Sequence, residues 1–272
     1  MELIWLTILL MGGIGITASI VLYFVAKRFK VEEDERVLQI EEVLPGANCG
    51  ACGYRGCHDF ATACASADSL DGLYCPGAGA QGMQRIGEIA GLAVSEAVRK
   101  VAVVACSGGC EQRPLVRHYD GVLNCSIEAV VGEGETDCPY GCLGWGDCVE
   151  ACPYDAIHID KDSGLPVVDY SLCVGCGKCV KACPRSVIEL AEVPQGTETT
   201  TYVACRNRDK GPLAMKACSV SCIGCGKCTK VCEHEAVKVD HFVASIDSTA
   251  CVRCGKCEEA CPRHSIHSVT TK

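Results

Sequence analysis

Four segments of this chain repeat one cysteine spacing, and no other feature limits its possible folds as much. Cys173, Cys176, Cys179 and Cys183-Pro184 follow C-x2-C-x2-C-x3-C-P, and so do Cys251, Cys254, Cys257 and Cys261-Pro262. A third run, Cys222, Cys225, Cys228 and Cys232, keeps every cysteine but has Glu233 in place of the proline. The fourth is irregular. Cys138, Cys142, Cys148 and Cys152-Pro153 are spaced x3, x5, x3, and Trp145 stands where the count from Cys142 calls for a thiolate, so Cys138 is expected to fill that place.

The chain has 26 cysteines in 272 residues, far more than packing requires. Disulfides suit small secreted domains, whereas closely spaced C-x2-C runs gather thiolates around metal. Zinc uses separated C-x2-C pairs, and a zinc-stabilised scaffold is the structural alternative. Three cysteines at x2, x2 followed by C-P instead wrap a [4Fe-4S] cluster, the fourth cysteine serving the other cluster of a pair. Thiolates and clusters of this kind imply a reducing cytoplasm. The formal charge of -9 argues against nucleic acid as a partner. It is unevenly spread: residues 31–75 carry nine acidic and two basic residues, and residues 201–239 carry seven basic and three acidic.

The expected architecture is α+β. One N-terminal transmembrane helix precedes a small helical iron-sulfur domain, and tandem bacterial-type double-cluster ferredoxin modules follow. Leu3 to Ala26 is uncharged over 24 residues, about 36 Å as a helix and enough to cross a bilayer. Trp5 and Tyr23 suit the two interfaces, and Lys27, Arg28 and Lys30 place the following domains in the cytoplasm by the positive-inside rule. A signal peptide would carry its cations before the apolar stretch, where Glu2 stands instead. The boundaries read as a transmembrane anchor (1–30), a stalk and N-terminal 4Fe-4S domain (31–80), a linking domain (81–137), and two ferredoxin modules (138–200 and 201–272).

In the N-terminal domain Cys49, Cys52, Cys57 and Cys75 are the expected ligands. Glycines among them let the backbone approach the inorganic core. His58 to Ser66 reads as a short helix with Cys64 as a buried free thiol. Residues 81–98 read as helix and Lys100 to Ala105 as a strand. Cys106, Cys110 and Cys125 have no fourth partner nearby, while Cys205 and Cys218 stand unused before the third run. They form either a sixth cluster site, completed by Cys205 or Cys218, or a set of buried thiols or a small metal staple. The endings Val104-Ala105-Cys106 and Val203-Ala204-Cys205 repeat.

Each module has an apolar hairpin candidate between its cysteine runs, at 155–160 with 165–169 and at 236–240 with 242–247. If the fourth cysteines cross over as in bacterial ferredoxins, Cys138, Cys142 and Cys148 join Cys183, and Cys173, Cys176 and Cys179 join Cys152. Likewise Cys222, Cys225 and Cys228 join Cys261, and Cys251, Cys254 and Cys257 join Cys232.

The order of anchor, Asn48-to-Pro76 segment and ferredoxin modules resembles the B subunits of Rnf complexes, the ion-translocating ferredoxin:NAD oxidoreductases of bacterial plasma membranes. The extra cysteines resemble the long forms of strict anaerobes. That resemblance implies a single-pass membrane subunit with five to six [4Fe-4S] clusters. It would receive electrons from reduced ferredoxin and pass them to the membrane and flavin subunits, coupled to Na+ or H+ movement. A polyferredoxin subunit of another membrane oxidoreductase, such as a hydrogenase, shares the modules. The chain has no Walker loop, no strand-linked G-x-G-x-x-G and no flavin attachment motif, so no flavin or NAD is expected on it and no bond-making site of its own. Arg206, Arg208, Lys210, Lys216, Lys227, Lys230 and Lys238 read as a docking face for an acidic ferredoxin or, alternatively, as scattered cations of a solvated surface. None of the seven histidines has partners at ligand spacing, and they read as surface or packing residues.

Overall fold

A computed structural model describes residues 2–28, 34–94, 98–132, 134–194 and 197–271. Helix α1, Glu2–Arg28, is apolar on every side, because nothing in its sequence marks out a polar face. Its segment Ile4–Val25 has a mean hydropathy of 2.2 over 22 residues and is long and apolar enough to cross a membrane. Thr17 Oγ1 donates to the carbonyls of Gly13 and Ile14 at 2.9 Å each, so its hydroxyl is satisfied within the helix. Lys30 and the stalk residues 31–33 lie outside the described residues.

Three helices build the N-terminal domain: α2 (Glu35–Val43), α3 (Cys57–Ser66) and α4 (Gly79–Ala90). Asp34 caps α2 by accepting from the Arg36 N–H. The helices bury Ile40, Phe60, Leu70, Met83 and Ile86 together, with Cys64 fully enclosed among them. The helix expected over 81–98 stops at Ala90, because Gly91 takes the left-handed conformation (φ 70) and closes the last carbonyls.

Strand β1 (Arg99–Val104) follows, then helix α5 (Cys125–Val131) and α6 (Asp147–Glu150). The first module continues with strands β2 (Ile157–Ile159) and β3 (Pro166–Val168), helix α7 (Lys178–Ala182) and strand β4 (Ile188–Val193). The second holds strand β5 (Thr199–Val203), helices α8 (Gly211–Ala217) and α9 (Lys227–Val231), strands β6 (Val237–Asp240) and β7 (Val243–Ile246), helix α10 (Lys256–Glu259) and strand β8 (Ile266–Thr270).

Among the described residues every sheet is an antiparallel pair: β1 with β4, β2 with β3, β5 with β8, and β6 with β7. Each module therefore has an inner hairpin and an outer pair that joins its leading strand to its last. Val104 lies opposite Ile188, and Val203 opposite Ile266. Strand β1, from the linking segment, thus completes the sheet of the first module, and β5 begins two residues before position 201. Each module buries its own core, around Ile157, Val168 and Ile188 in the first and Val237, Ala244 and Ile266 in the second.

The modules are tied together where β1 and β4 meet β5 and β8. The Arg99 guanidinium donates to the carbonyls of Thr271 and Tyr170 at 2.9 Å each. Thr200 Oγ1 donates to Glu192 O at 3.1 Å. Val101, Val103 and Val193 form a further buried cluster against Tyr202 and Val269.

Candidate iron-sulfur centres

The four runs share one local fold. In each, the glycine just before a short helix takes a left-handed φ: Gly146 (88), Gly177 (74), Gly226 (67) and Gly255 (77). That turn starts α6, α7, α9 and α10 and delivers the third cysteine of each run, Cys148, Cys179, Cys228 and Cys257, into a buried position. Three residues after each final cysteine, a non-glycine residue is also left-handed: Asp155, Ser186, Glu235 and His264. Four copies of the same unusual backbone show that the irregular run folds like the regular ones, despite Trp145. Where the third run has Glu233, the side chain pairs with Lys256, which leads α10.

In the second module Cys222, Cys225, Cys228 and Cys261 line one cavity, with about 360 Å³ of free space including its mouth. A matching cavity in the first module, also about 360 Å³, is lined by Cys142, Cys148, Cys183 and Cys125. Here the structure corrects the sequence reading: Cys125, not Cys138, stands with the other three. The reason lies in α5. Asn124 caps it through its side chain, and Asp147 accepts from the N–H groups of Cys125 at 2.8 Å and Ser126 at 3.0 Å. These bonds hold the start of α5 against α6. Trp145 turns away instead, its indole N–H donating to Glu128, which is buried on α5.

The expected grouping of Cys106, Cys110 and Cys125 is therefore not formed. Cys110 is exposed, its N–H donating to Ser163 O at 3.0 Å on the turn between β2 and β3. Cys106 lies instead beside Cys138, and both Cys205 and Cys218 join them around one cavity.

Neighbouring thiols also act on one another electrostatically. Burial pushes Cys179 up to about 11, and the neighbouring charges of Cys173, Cys176 and Cys152 push in the same direction. Cys257 is raised by burial and then by Cys251 and Cys254, and Cys232 packs against the same core as Cys257. In the N-terminal domain burial raises Cys75, with further contributions from Cys52 and Cys49. Cys64 is pushed up to about 11 by burial, then by Cys52 and Cys75. Asn48 fixes the third cysteine of this set, its side chain accepting from the Cys57 N–H at 2.8 Å. Tyr154, just past Cys152 and Pro153, donates its hydroxyl to Cys49 Sγ at 3.9 Å, so the N-terminal site lies against the first module.

Burial pushes Cys142 and Cys148 up to about 12. Crowded thiols of this kind stay protonated at neutral pH unless cations replace their protons. Among the described residues no three or more His, Cys, Asp or Glu side chains meet around a point where one metal ion would sit. The cysteines ring cavities instead. An all-thiol donor set arranged this way fits an iron-sulfur cluster better than a single tetrahedral ion. N–H groups also aim at the sulfurs: Ala102 N–H at Cys173 Sγ (3.4 Å) and Ser265 N–H at Cys261 Sγ (3.4 Å).

Comparison with known proteins agrees with this geometry. Residues 139–190 and 221–266 each match a family described as a 4Fe-4S dicluster domain, and residues 44–69 match a family described as a putative Fe-S cluster. The chain is 40% identical, over 88% of its length and 70% of the relative's, to the B subunit of the Na(+)-translocating ferredoxin:NAD(+) oxidoreductase complex of Acetobacterium woodii. It is 38% identical, over 92% of its length and 86% of the relative's, to the B subunit of the proton-translocating ferredoxin:NAD(+) oxidoreductase complex of Clostridium ljungdahlii. Against the B subunit of the ion-translocating oxidoreductase complex of Methanosarcina acetivorans identity is 36%, over 89% of both chains. With its cysteine cages inside two dicluster domains and relatives of this closeness along almost its whole length, the chain belongs to the family of B subunits of Rnf-type ion-translocating oxidoreductase complexes.

Proposed function

We propose that this chain is the membrane-anchored iron-sulfur electron-transfer subunit of an Rnf-type complex. It takes electrons from reduced ferredoxin and relays them to the membrane and flavin subunits, where ferredoxin oxidation and NAD reduction are coupled to Na+ or H+ translocation. The observation that carries this reading is the pair of cysteine-ringed cavities within tandem dicluster domains. Bound [4Fe-4S] clusters each accept and release one electron at a potential that the surrounding protein tunes.

The residues divide into five sites. Cys49, Cys52, Cys57 and Cys75 serve the N-terminal domain. Cys142, Cys148, Cys183 and Cys125 serve one site of the first module, and Cys173, Cys176, Cys179 and Cys152 the other. In the second module Cys222, Cys225, Cys228 and Cys261 form one set, and Cys251, Cys254, Cys257 and Cys232 the second. The protein's part is to hold the thiolates, exclude water from them and direct N–H groups at sulfur, which sets potential. Tyr154, between Cys49 and the first module, keeps the N-terminal site within reach of its neighbour.

Helix α1 serves as a single membrane span, and the cations after it keep the cysteine-bearing domains in the cytoplasm. Electrons enter at the second module. Cys225 and Cys254 are exposed there, and Arg208, Lys210, Lys216, Lys227, Lys230 and Lys238 are exposed around them. Arg206 is less available, being paired with Glu189. A positive face beside exposed ligands suits an acidic donor protein.

The test is electron uptake by the full chain, isolated without oxygen and mixed with reduced ferredoxin. Bleaching of its visible absorption is expected, and no bleaching would sink the reading. In the Lys227→Glu/Lys230→Glu variant, uptake at low salt should slow roughly tenfold and approach the wild-type rate at high salt. Unchanged uptake in that variant would move the docking face elsewhere.

A further inference from the structure

Five sites use 20 of the 26 cysteines, and four of the six left over, Cys106, Cys138, Cys205 and Cys218, line one cavity between the two modules. We propose that these cysteines form a sixth site that holds a [4Fe-4S] cluster and joins the modules. The inference rests on the iron-sulfur reading above and extends it to residues outside every matched family segment, since those segments cover 44–69, 139–190 and 221–266.

The site is built from the internal repeat. Cys106 and Cys205 each follow a Val-Ala pair at the end of β1 or β5. The two alanines are held alike: the Ala105 N–H donates to Val187 O at 2.7 Å, and the Ala204 N–H to Ser265 O at 2.7 Å. Val187 and Ser265 each stand four residues past the last cysteine of their module. Cys138 precedes Cys142 by four residues, as Cys218 precedes Cys222. Each module thus contributes the same two positions. A hydrogen bond from the Ser107 N–H to Ala204 O at 3.0 Å joins the two halves.

Size and electrostatics suit the same cofactor. The free space, about 290 Å³, is close to the 360 Å³ at the site of Cys222, Cys225, Cys228 and Cys261. Gly108 lies so close that a Cβ on it would come within 2.8 Å of Cys218 Sγ. Asn207 is buried and donates its side-chain amide to Cys138 Sγ at 3.6 Å and its backbone N–H to Cys205 Sγ at 3.5 Å. Such N–H to sulfur bonds also occur at Cys173 and Cys261.

Arg113 supplies the independent argument. It lines the cavity and is only 7% exposed. One of its terminal nitrogens donates to Cys142 O at 2.8 Å, while its buried Nε has no partner among the described residues. Among the described residues no carboxylate lines the cavity. A guanidinium buried beside four neutral thiols would be a charge taken out of water without a counter-charge at hand, which is strongly unfavourable. Iron-bound thiolates with their net negative charge supply one. Four inert buried thiols would leave Arg113 unexplained.

The location gives the site its use. Cys106 packs against the same buried core as Cys142 in the first module, and Cys205 against the same core as Cys222 in the second. It therefore stands between the nearest sites of the two modules.

Iron and acid-labile sulfide counted on the full chain, isolated without oxygen, test the proposal. Six sites predict about 24 of each, and five about 20. Cys138→Ala, Cys218→Ala and the double variant should each lose the same amount, about one sixth of the iron, because they empty one shared site. Cys110→Ala should lose none. A wild-type count near 20, or an unchanged count in the variants, overturns the sixth site and leaves the five-site reading standing. Zinc with little iron in the wild type overturns the iron-sulfur reading itself. Should the variants not be recoverable, native mass spectrometry of the wild type decides between six and five clusters by mass.

Discussion

Asp147 Oδ1 accepts the backbone N–H of Cys125 at 2.8 Å, binding the first residue of α5 to the first residue of α6. Its other oxygen accepts from Ser126, from the N–H at 3.0 Å and the hydroxyl at 2.7 Å. One carboxylate thus places the cysteine that replaces the thiol missing at Trp145. Asp147→Ala should destabilise the chain by about 2 kcal/mol, as expected for losing hydrogen bonds to a charged acceptor. It should also release iron from one site. Denaturant titration and iron counting check both.

The same carboxylate sets a pH dependence. Burial opposes its ionisation, but the hydrogen bonds from Ser126 and Cys125 outweigh burial and hold it below the usual carboxylate range. A depressed native pKa stabilises the fold above the unfolded value of about 3.9, and that contribution fades as pH falls through the native value. Unfolding measured at falling pH should show wild type and Asp147→Ala converging below about pH 4.

With Cys148 aligned on Cys228, Trp145 occupies the position that Cys225 holds in the second module, and Cys138 and Cys142 fall on Cys218 and Cys222. Cys125 supplies the thiol that Trp145 does not, so Cys125→Ala should cost about four iron atoms per chain. Adding Trp145→Cys to that variant should restore them, since the backbone of the irregular run already follows the regular one. Iron counts that fail to recover would show that the turn at Trp145 cannot present a thiol to the cavity.

Gly175 has φ 70, and a Cβ placed on it would lie 2.2 Å from the carbonyl oxygen of Lys100 on β1. Gly175→Ala should cost about 3 kcal/mol, combining the left-handed penalty with overlap against backbone. Loss of stability in denaturant, together with iron lost from the site of Cys173, Cys176 and Cys179, is the expected result.

The helix that begins at Cys57 has Gly56 as its N-cap, with no side chain to offer, and Asn48 Oδ1 accepts from the Cys57 N–H at 2.8 Å in its place while its own amide donates to Gly46 O at 3.2 Å. Removing such a cap costs about 1 kcal/mol. Asn48→Ala should lower the melting temperature modestly and Asn48→Asp should retain most of the capping, as thermal denaturation of the two variants would show.

The sequence alone determined the parts that depend on neighbours along the chain. The C-x2-C-x2-C-x3-C runs and the long uncharged segment of α1 are set by neighbours along the chain, so spacing and composition suffice to read them. The hairpins β2–β3 and β6–β7 were legible for the same reason. Pairings across long separations were decided only by the tertiary structure. Cys125 reaches its site because α5 docks through Asp147, 22 residues away, and Cys106, Cys138, Cys205 and Cys218 converge because β1 and β5 end side by side. A spacing rule cannot see such contacts: which thiols share a cavity depends on how strands and helices pack, and the nearest cysteine in sequence is not the nearest in space. The repeated Val-Ala-Cys endings and the cysteines four residues ahead of Cys142 and Cys222 carried the signal, but only the packing of the two modules against each other brought those positions to one place.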